Sequence, residues 1–126
     1  MDTDFFLLRA AEAWLTYAEA TARQNGGNAT AEGVAAINEL RTRAHAATKA
    51  SYSLNDILDE WSREFWFEGR RRMDLIRFGC YGGSNYNWQW KGGNLNGTSF
   101  SADKNIFAIP TTDLTANENL KQNPGY

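Results

Sequence analysis

Glu64-Phe65-Trp66-Phe67-Glu68-Gly69-Arg70-Arg71-Arg72-Met73-Asp74-Leu75-Ile76-Arg77-Phe78-Gly79 crowds aromatic rings and charges of both signs into one segment. Ahead of it, Ser53-Leu54-Asn55-Asp56 resembles a capping box, a helix start in which side chains satisfy the first free N–H groups. A helix running on from there places Ile57, Trp61, Leu75 and Phe78 on one line, with Glu64, Glu68 and Arg71 on the same line between them. A core stripe interrupted by charge predicts a long helix over about 53–78 whose charges are partly buried. At helical spacings of three or four residues, Glu68 meets Arg71 and Arg72, and Asp74 meets Arg70 and Arg77. Glu64, Glu68, Arg71, Asp74 and Arg77 are therefore expected to form a structural ion network, with an anion site on Arg70, Arg71 and Arg72 as the alternative. Interior Gly69 predicts a kink or a close helix contact.

Two further helices precede this one. Leu7, Leu8, Ala11, Trp14, Leu15, Ala18 and Ala22 carry a three-to-four periodicity over about 4–24, with Asp2, Thr3 and Asp4 as cap candidates and Gly26-Gly27 as the stop. Val34, Ile37 and Ala44 mark a second helix over about 30–47, whose interior Gly33 weakens it by about 1 kcal/mol relative to alanine. The short connection predicts an antiparallel hairpin, and its many alanines predict close approach. The expected fold class is mainly α: this hairpin, the long third helix, and an ordered loop and tail over 79–126.

That loop changes character. Gly, Asn and Ser are interleaved with Tyr81, Tyr86, Trp88 and Trp90. Long irregular connections are usually functional or disordered, and aromatic content argues against disorder. Tyr86, Trp88 and Trp90 are the candidate ligand-binding residues, since aromatic faces stack on sugar rings while Asn87 and Gln89 offer polar contacts. The competing expectation is that Trp88 and Trp90 turn inward and anchor the loop. Ile106-Phe107-Ala108-Ile109-Pro110 then reads as a short extended segment ahead of a turn-rich tail.

Composition narrows the function. The chain has 126 residues, 42% hydrophobic and 22% charged, with a net charge of −2, as expected of one globular domain without a nucleic-acid-binding basic stripe. A single cysteine, Cys80, and a single histidine, His45, supply neither an internal disulfide nor a structural zinc set. Carboxylates paired with arginine have lowered pKa values that suit ion pairs better than general acids. No catalytic residue, metal site or cofactor is expected, and no apolar run approaches the ~18 residues of a spanning helix.

Five pieces of the sequence, in order, resemble the C-terminal region of the SusD/RagB family. Leu8-Arg9-Ala10-Ala11-Glu12-Ala13 with Tyr17-Ala18-Glu19-Ala20 looks like its first helix, and Ile37-Asn38 with Arg41, Arg43 and Ala44 like its second. Glu64-Phe65, Glu68-Gly69, Arg71, Asp74-Leu75 and Arg77-Phe78-Gly79 match its third-helix signature; Ile109-Pro110 and Gln122-Asn123-Pro124-Gly125-Tyr126 match its close. Trp61 and His45 depart from it, standing where arginine and glycine are common. The Trp88-Gln89-Trp90-Lys91-Gly92-Gly93 loop is similar to the family's starch-binding branch. The resemblance implies a tetratricopeptide-like C-terminal piece of a longer, lipid-anchored outer-membrane protein of Bacteroidetes. Such a protein captures oligosaccharide or polysaccharide and hands it to a TonB-dependent, SusC-like transporter, and this piece would be chiefly scaffold. A helical protein-interaction scaffold without carbohydrate binding is the alternative.

Overall fold

Alanine sets the geometry of the first two helices. Ala11, Ala18 and Ala22 are buried on α1 (Ala10–Gln24), and Ala36 and Ile37 on α2 (Ala31–Arg43). These small side chains let the two backbones approach. Gly33 is part of that approach, because a Cβ there would lie 3.1 Å from Thr21 Oγ1 and 3.4 Å from Ala18 Cα. The glycine that weakens α2 as an isolated helix is thus what lets it pack. Thr30 caps α2 by accepting from the Gly33 N–H at 3.3 Å.

The computed structural model describes residues 6–126, in two compact units divided between Arg71 and Arg72. The cap candidates Asp2, Thr3 and Asp4 lie outside the described residues. The first helix begins later than its periodicity predicts: Phe6, Leu7 and Leu8 precede it and are exposed, and Arg9 at its N-cap has extended backbone. Leu7 and Leu8 are therefore not core residues of α1. The second helix also ends early, at Arg43 rather than near residue 47. His45 takes φ +52°, and the His45 and Ala46 N–H groups donate to Thr42 O and Arg41 O at 3.0 and 2.8 Å. This is the left-handed closure that favours glycine, at the position where the family resemblance expects one.

The third element, α3 (Leu54–Glu64), buries Ile57, Leu58 and Trp61. Its capping box is complete: Ser53 Oγ accepts from the Asp56 N–H at 3.2 Å, and Asp56 Oδ2 accepts from the Ser53 N–H at 2.9 Å. Ahead of it, buried Tyr52 donates to Asn38 Oδ1 at 2.6 Å, and the Asn38 amide donates to Lys49 O at 2.9 Å. Asn38 on α2 thereby holds the connection that delivers the chain to α3.

The long helix expected over 53–78 is broken. Its first part ends at Glu64, its second is α4 (Arg71–Arg77), and between them Phe67 and Gly69 take φ +62° and +73°. Aromatic stacking offers a physical reason. The Phe65 ring lies 5.3 Å from Trp61, and the Arg70 guanidinium folds back over both, 4.2 and 4.5 Å from their centroids. A straight helix would carry Arg70 away from Trp61.

In the second unit, 3-10 turns at Lys91–Gly93 and Ala102–Asn105 and a short helix, α5 (Thr111–Ala116), join irregular segments. The Arg72 guanidinium lies 3.7 Å from the Phe107 centroid and donates to Lys104 O at 2.9 Å. The tail is fastened back by side chains. The Gln122 amide both accepts from the Ile109 N–H and donates to the Ile109 carbonyl, each at 2.9 Å. The Asn123 amide donates to Phe107 O at 2.7 Å, and the Tyr126 hydroxyl to Ile106 O at 2.8 Å. Among the described residues β structure is confined to isolated bridges, Asn28 with Ser53 and Gly82 with Phe100. The fold is mainly α.

Asp56 supplies a pH test. A hydrogen bond from Lys49, followed by those from Ser53, holds its carboxyl well below the usual carboxylate range. A carboxylate depressed in the folded state stabilises above its unfolded pKa and loses that contribution as pH falls through the folded value. Wild type should lose denaturation midpoint progressively as pH falls below about 4, the unfolded carboxylate pKa, and Asp56→Asn should show a flatter acid limb. Urea melts between neutral pH and strong acid check this.

Candidate functional site

Arg9 is the hub of the ion network. Its extended N-cap backbone aims the guanidinium at the break after α3, where Nε and Nη2 donate to the two carboxylate oxygens of Glu68, each at 2.8 Å. Nη1 and Nη2 also donate to the Glu64 carboxylate and the Glu64 carbonyl. The guanidinium plane covers the Phe65 ring at 4.0 Å. This forked geometry is available to arginine and not to lysine. Hydrogen bonding to Glu68 raises the Arg9 pKa, and the same bond lowers that of Glu68. Arg43 reaches Glu64 from α2 at 2.6 Å.

The residues expected to act together are thus divided. Glu64 and Glu68 meet through Arg9, not through neighbours on a shared helix. Arg71 donates to Leu58 O at 2.8 Å, while buried Asp74 pairs with Arg77 at 2.9 Å in the second unit. The alternative anion cluster is dispersed as well: Arg70 pairs with Glu12 at 3.1 Å and stacks on rings, Arg71 binds a carbonyl, and Arg72 binds carbonyls and Phe107. Arg9 and Arg43 are the partners that helical spacing could not reveal, since both arrive from other elements. Buried Glu60 accepts from Arg41 and Arg63, and buried Glu19 accepts from the Trp61 indole N–H at 2.9 Å and from Arg23 Nε at 3.0 Å. Trp61, one of the two departures from the family pattern, is therefore seated by Glu19.

The aromatic loop presents its rings outward. Tyr86, Trp88 and Trp90 are 36%, 39% and 65% exposed, and the Tyr86 and Trp88 rings lie 6.3 Å apart, tilted by 55°. Strict alternation predicts an inward ring among them; instead Trp90 takes φ +67° and the side chain turned inward is Lys91. The returning segment of the loop passes so close to Trp88 that a Cβ at Gly97 would lie 2.4 Å from the Trp88 carbonyl oxygen.

On the first unit, an open groove of about 570 Å³ is lined by Ala13, Trp14 and Tyr17 of α1 and by Glu32, Ala35, Ala36 and Glu39 of α2. Among the described residues no cluster of His, Cys, Asp and Glu could hold a metal ion, and no helix is long and apolar enough to cross a membrane.

The comparisons with known proteins agree on one family. The SusD family profile matches residues 1–126. The chain is 50% identical to the starch-binding protein SusD of Bacteroides thetaiotaomicron over 99% of its own length and 22% of that protein's. Surface glycan-binding protein A from Bacteroides uniformis superposes with a TM-score of 0.77 at 30% identity, over 97% of this chain and 28% of that one. A SusD superfamily protein from Parabacteroides distasonis shares the fold, with a TM-score of 0.73 at 21% identity over 97% of this chain and 27% of that one. This chain belongs to the SusD family. It spans about a fifth of the length of the SusD protein it matches, 22%.

Removing Arg9 tests the hub. Arg9→Ala leaves Glu68 without its fork and Glu64 with Arg43 alone. The expected loss is about 2 kcal/mol, between the ~3 of a fully buried pair and the ~1 of an exposed one. Arg63→Ala, more than half exposed, should cost under ~1 kcal/mol. Urea unfolding of both variants separates the two cases.

Proposed function

We propose that this chain is part of a glycan-binding component of an outer-membrane nutrient-uptake system, in which it is chiefly structural scaffold. The observation that carries this is the 50% identity, across 99% of the chain, to a protein named for starch binding. In this reading the chain is the C-terminal piece of a surface-exposed lipoprotein that captures oligosaccharide or polysaccharide and passes it to a TonB-dependent, SusC-like transporter. It binds and does not catalyse. Scaffold character is supported by where the charges go: Glu19, Glu60 and Glu64 are occupied in tying helices together.

Glu64, Glu68, Arg71, Asp74 and Arg77 serve structure in this proposal, and Tyr86, Trp88 and Trp90 are the residues with which the piece touches ligand. Exposed, tilted rings flanked by amides suit the apolar faces and hydroxyls of a sugar. Titration with starch-like oligosaccharides, followed by tryptophan fluorescence, is expected to give a saturable change that Trp88→Ala removes. A folded protein with no saturable change at millimolar sugar would leave the loop without a ligand and the chain as scaffold alone.

A further inference from the structure

Lys91 is 1% exposed, although a lysine ordinarily keeps its ammonium in water. Burying that charge is costly unless the site compensates it. Here the compensation is a carbonyl and two ring faces. Nζ donates to Tyr86 O at 2.7 Å and lies 4.8 Å from the Trp88 centroid and 5.0 Å from that of Phe100. The backbone of the same residue closes the loop around it: the Lys91 N–H donates to Trp88 O at 3.1 Å, and Lys91 O accepts from the Thr98 N–H at 3.0 Å. Gly92 is held beneath Phe100, where a Cβ would meet the ring at 3.1 Å.

Three of these contacts fall on residues that present the outward rings: the bonds to Tyr86 O and Trp88 O and the packing of Nζ on the Trp88 ring. The ammonium holds the backbone of Tyr86 and a face of Trp88 at once, so the spacing and tilt of the two rings depend on one buried cation. We infer that Lys91 is the positioning residue of the aromatic loop, fixing Tyr86 and Trp88 as a preformed pair before any ligand arrives. This rests on the proposed role of the loop for its consequence in binding, but not for its geometry. Preformed rings bind more tightly because their ordering is not charged against the complex.

The test uses the full chain and separates the two claims. The near-UV circular dichroism of wild type minus that of Trp88→Phe isolates the signal of an ordered Trp88. In a Lys91→Met background, which keeps the apolar stem, that difference should vanish while the far-UV spectrum is retained, and Lys91→Arg should restore part of it. If the difference persists in Lys91→Met, the inference is overturned. If Lys91→Met does not fold, the wild type decides by NMR: nuclear Overhauser effects from the Lys91 ε-methylene to the Trp88 and Phe100 rings, with an upfield ring-current shift, support the inference, and their absence overturns it. Where the wild type binds a starch-like oligosaccharide, Lys91→Met should weaken it roughly tenfold with both rings present. A wild type that binds no sugar sinks the binding role alone, and the spectroscopic result still stands or falls by itself.

Discussion

A charged group taken partly out of water must be met on every side, and Arg9 shows what that demand does to a small helical unit. Its guanidinium is bracketed by Glu68, Glu64 and the Phe65 ring. Those three residues sit where α3 ends, whereas Arg9 sits where α1 begins. The fork therefore fixes the start of one helix against the end of another, and it accompanies both departures from regular helix: the extended backbone at Arg9 and the break before α4. Arg43 draws α2 into the same arrangement through Glu64. Removing any one charge would leave the others in a setting built for a neutral sum.

Residues that carry the family resemblance meet polar partners both within that set and outside it. Arg9 answers Glu64 and Glu68, Glu19 answers Trp61, Asn38 answers Tyr52 and Lys49, and Arg41 answers Glu60. A buried polar group constrains sequence more narrowly than a buried methyl does, because an apolar site accepts several side chains and a fork accepts one. The core itself is ordinary: alanines between α1 and α2, with Ile57, Leu58 and Trp61 beneath. Its specificity comes from the polar contacts at its edges.

Much of this was legible in the sequence, and the misses share a cause. The hairpin, its close approach and the capping box at Ser53 follow from spacing and residue type, whereas Glu64 and Glu68 meet Arg9 and Arg43, which spacing does not reveal. Periodicity failed where tertiary contacts overrode it. Leu7 and Leu8 continue the apolar pattern of α1, yet the helix stops short of them at Arg9. Residues 65–70 include good helix formers, yet stacking of Arg70 on Trp61 and Phe65 bends the chain away. Gly69 gave the hint of a break, but Phe67 in a left-handed conformation gave none. In the loop, alternation misplaced the inward side chain: Trp90 takes a left-handed backbone and Lys91 is the residue buried. A lysine as the buried anchor has no signature in local pattern.

The fastening of the tail bears on the open backbone groups of the segment it covers. Ile106-Phe107-Ala108-Ile109 is apolar and lies outside any helix, the kind of segment whose open N–H and C=O groups could recruit an identical strand from another molecule. Gln122 occupies both polar groups of Ile109 with one amide, as a neighbouring strand would, and Asn123 and Tyr126 occupy the carbonyls of Phe107 and Ile106. The closing residues thus act as a detachable guard on a β-prone edge. Cleavage ahead of Gln122 would leave α1 to α5 uncut while releasing the backbone groups of Ile106, Phe107 and Ile109 from the side chains that hold them.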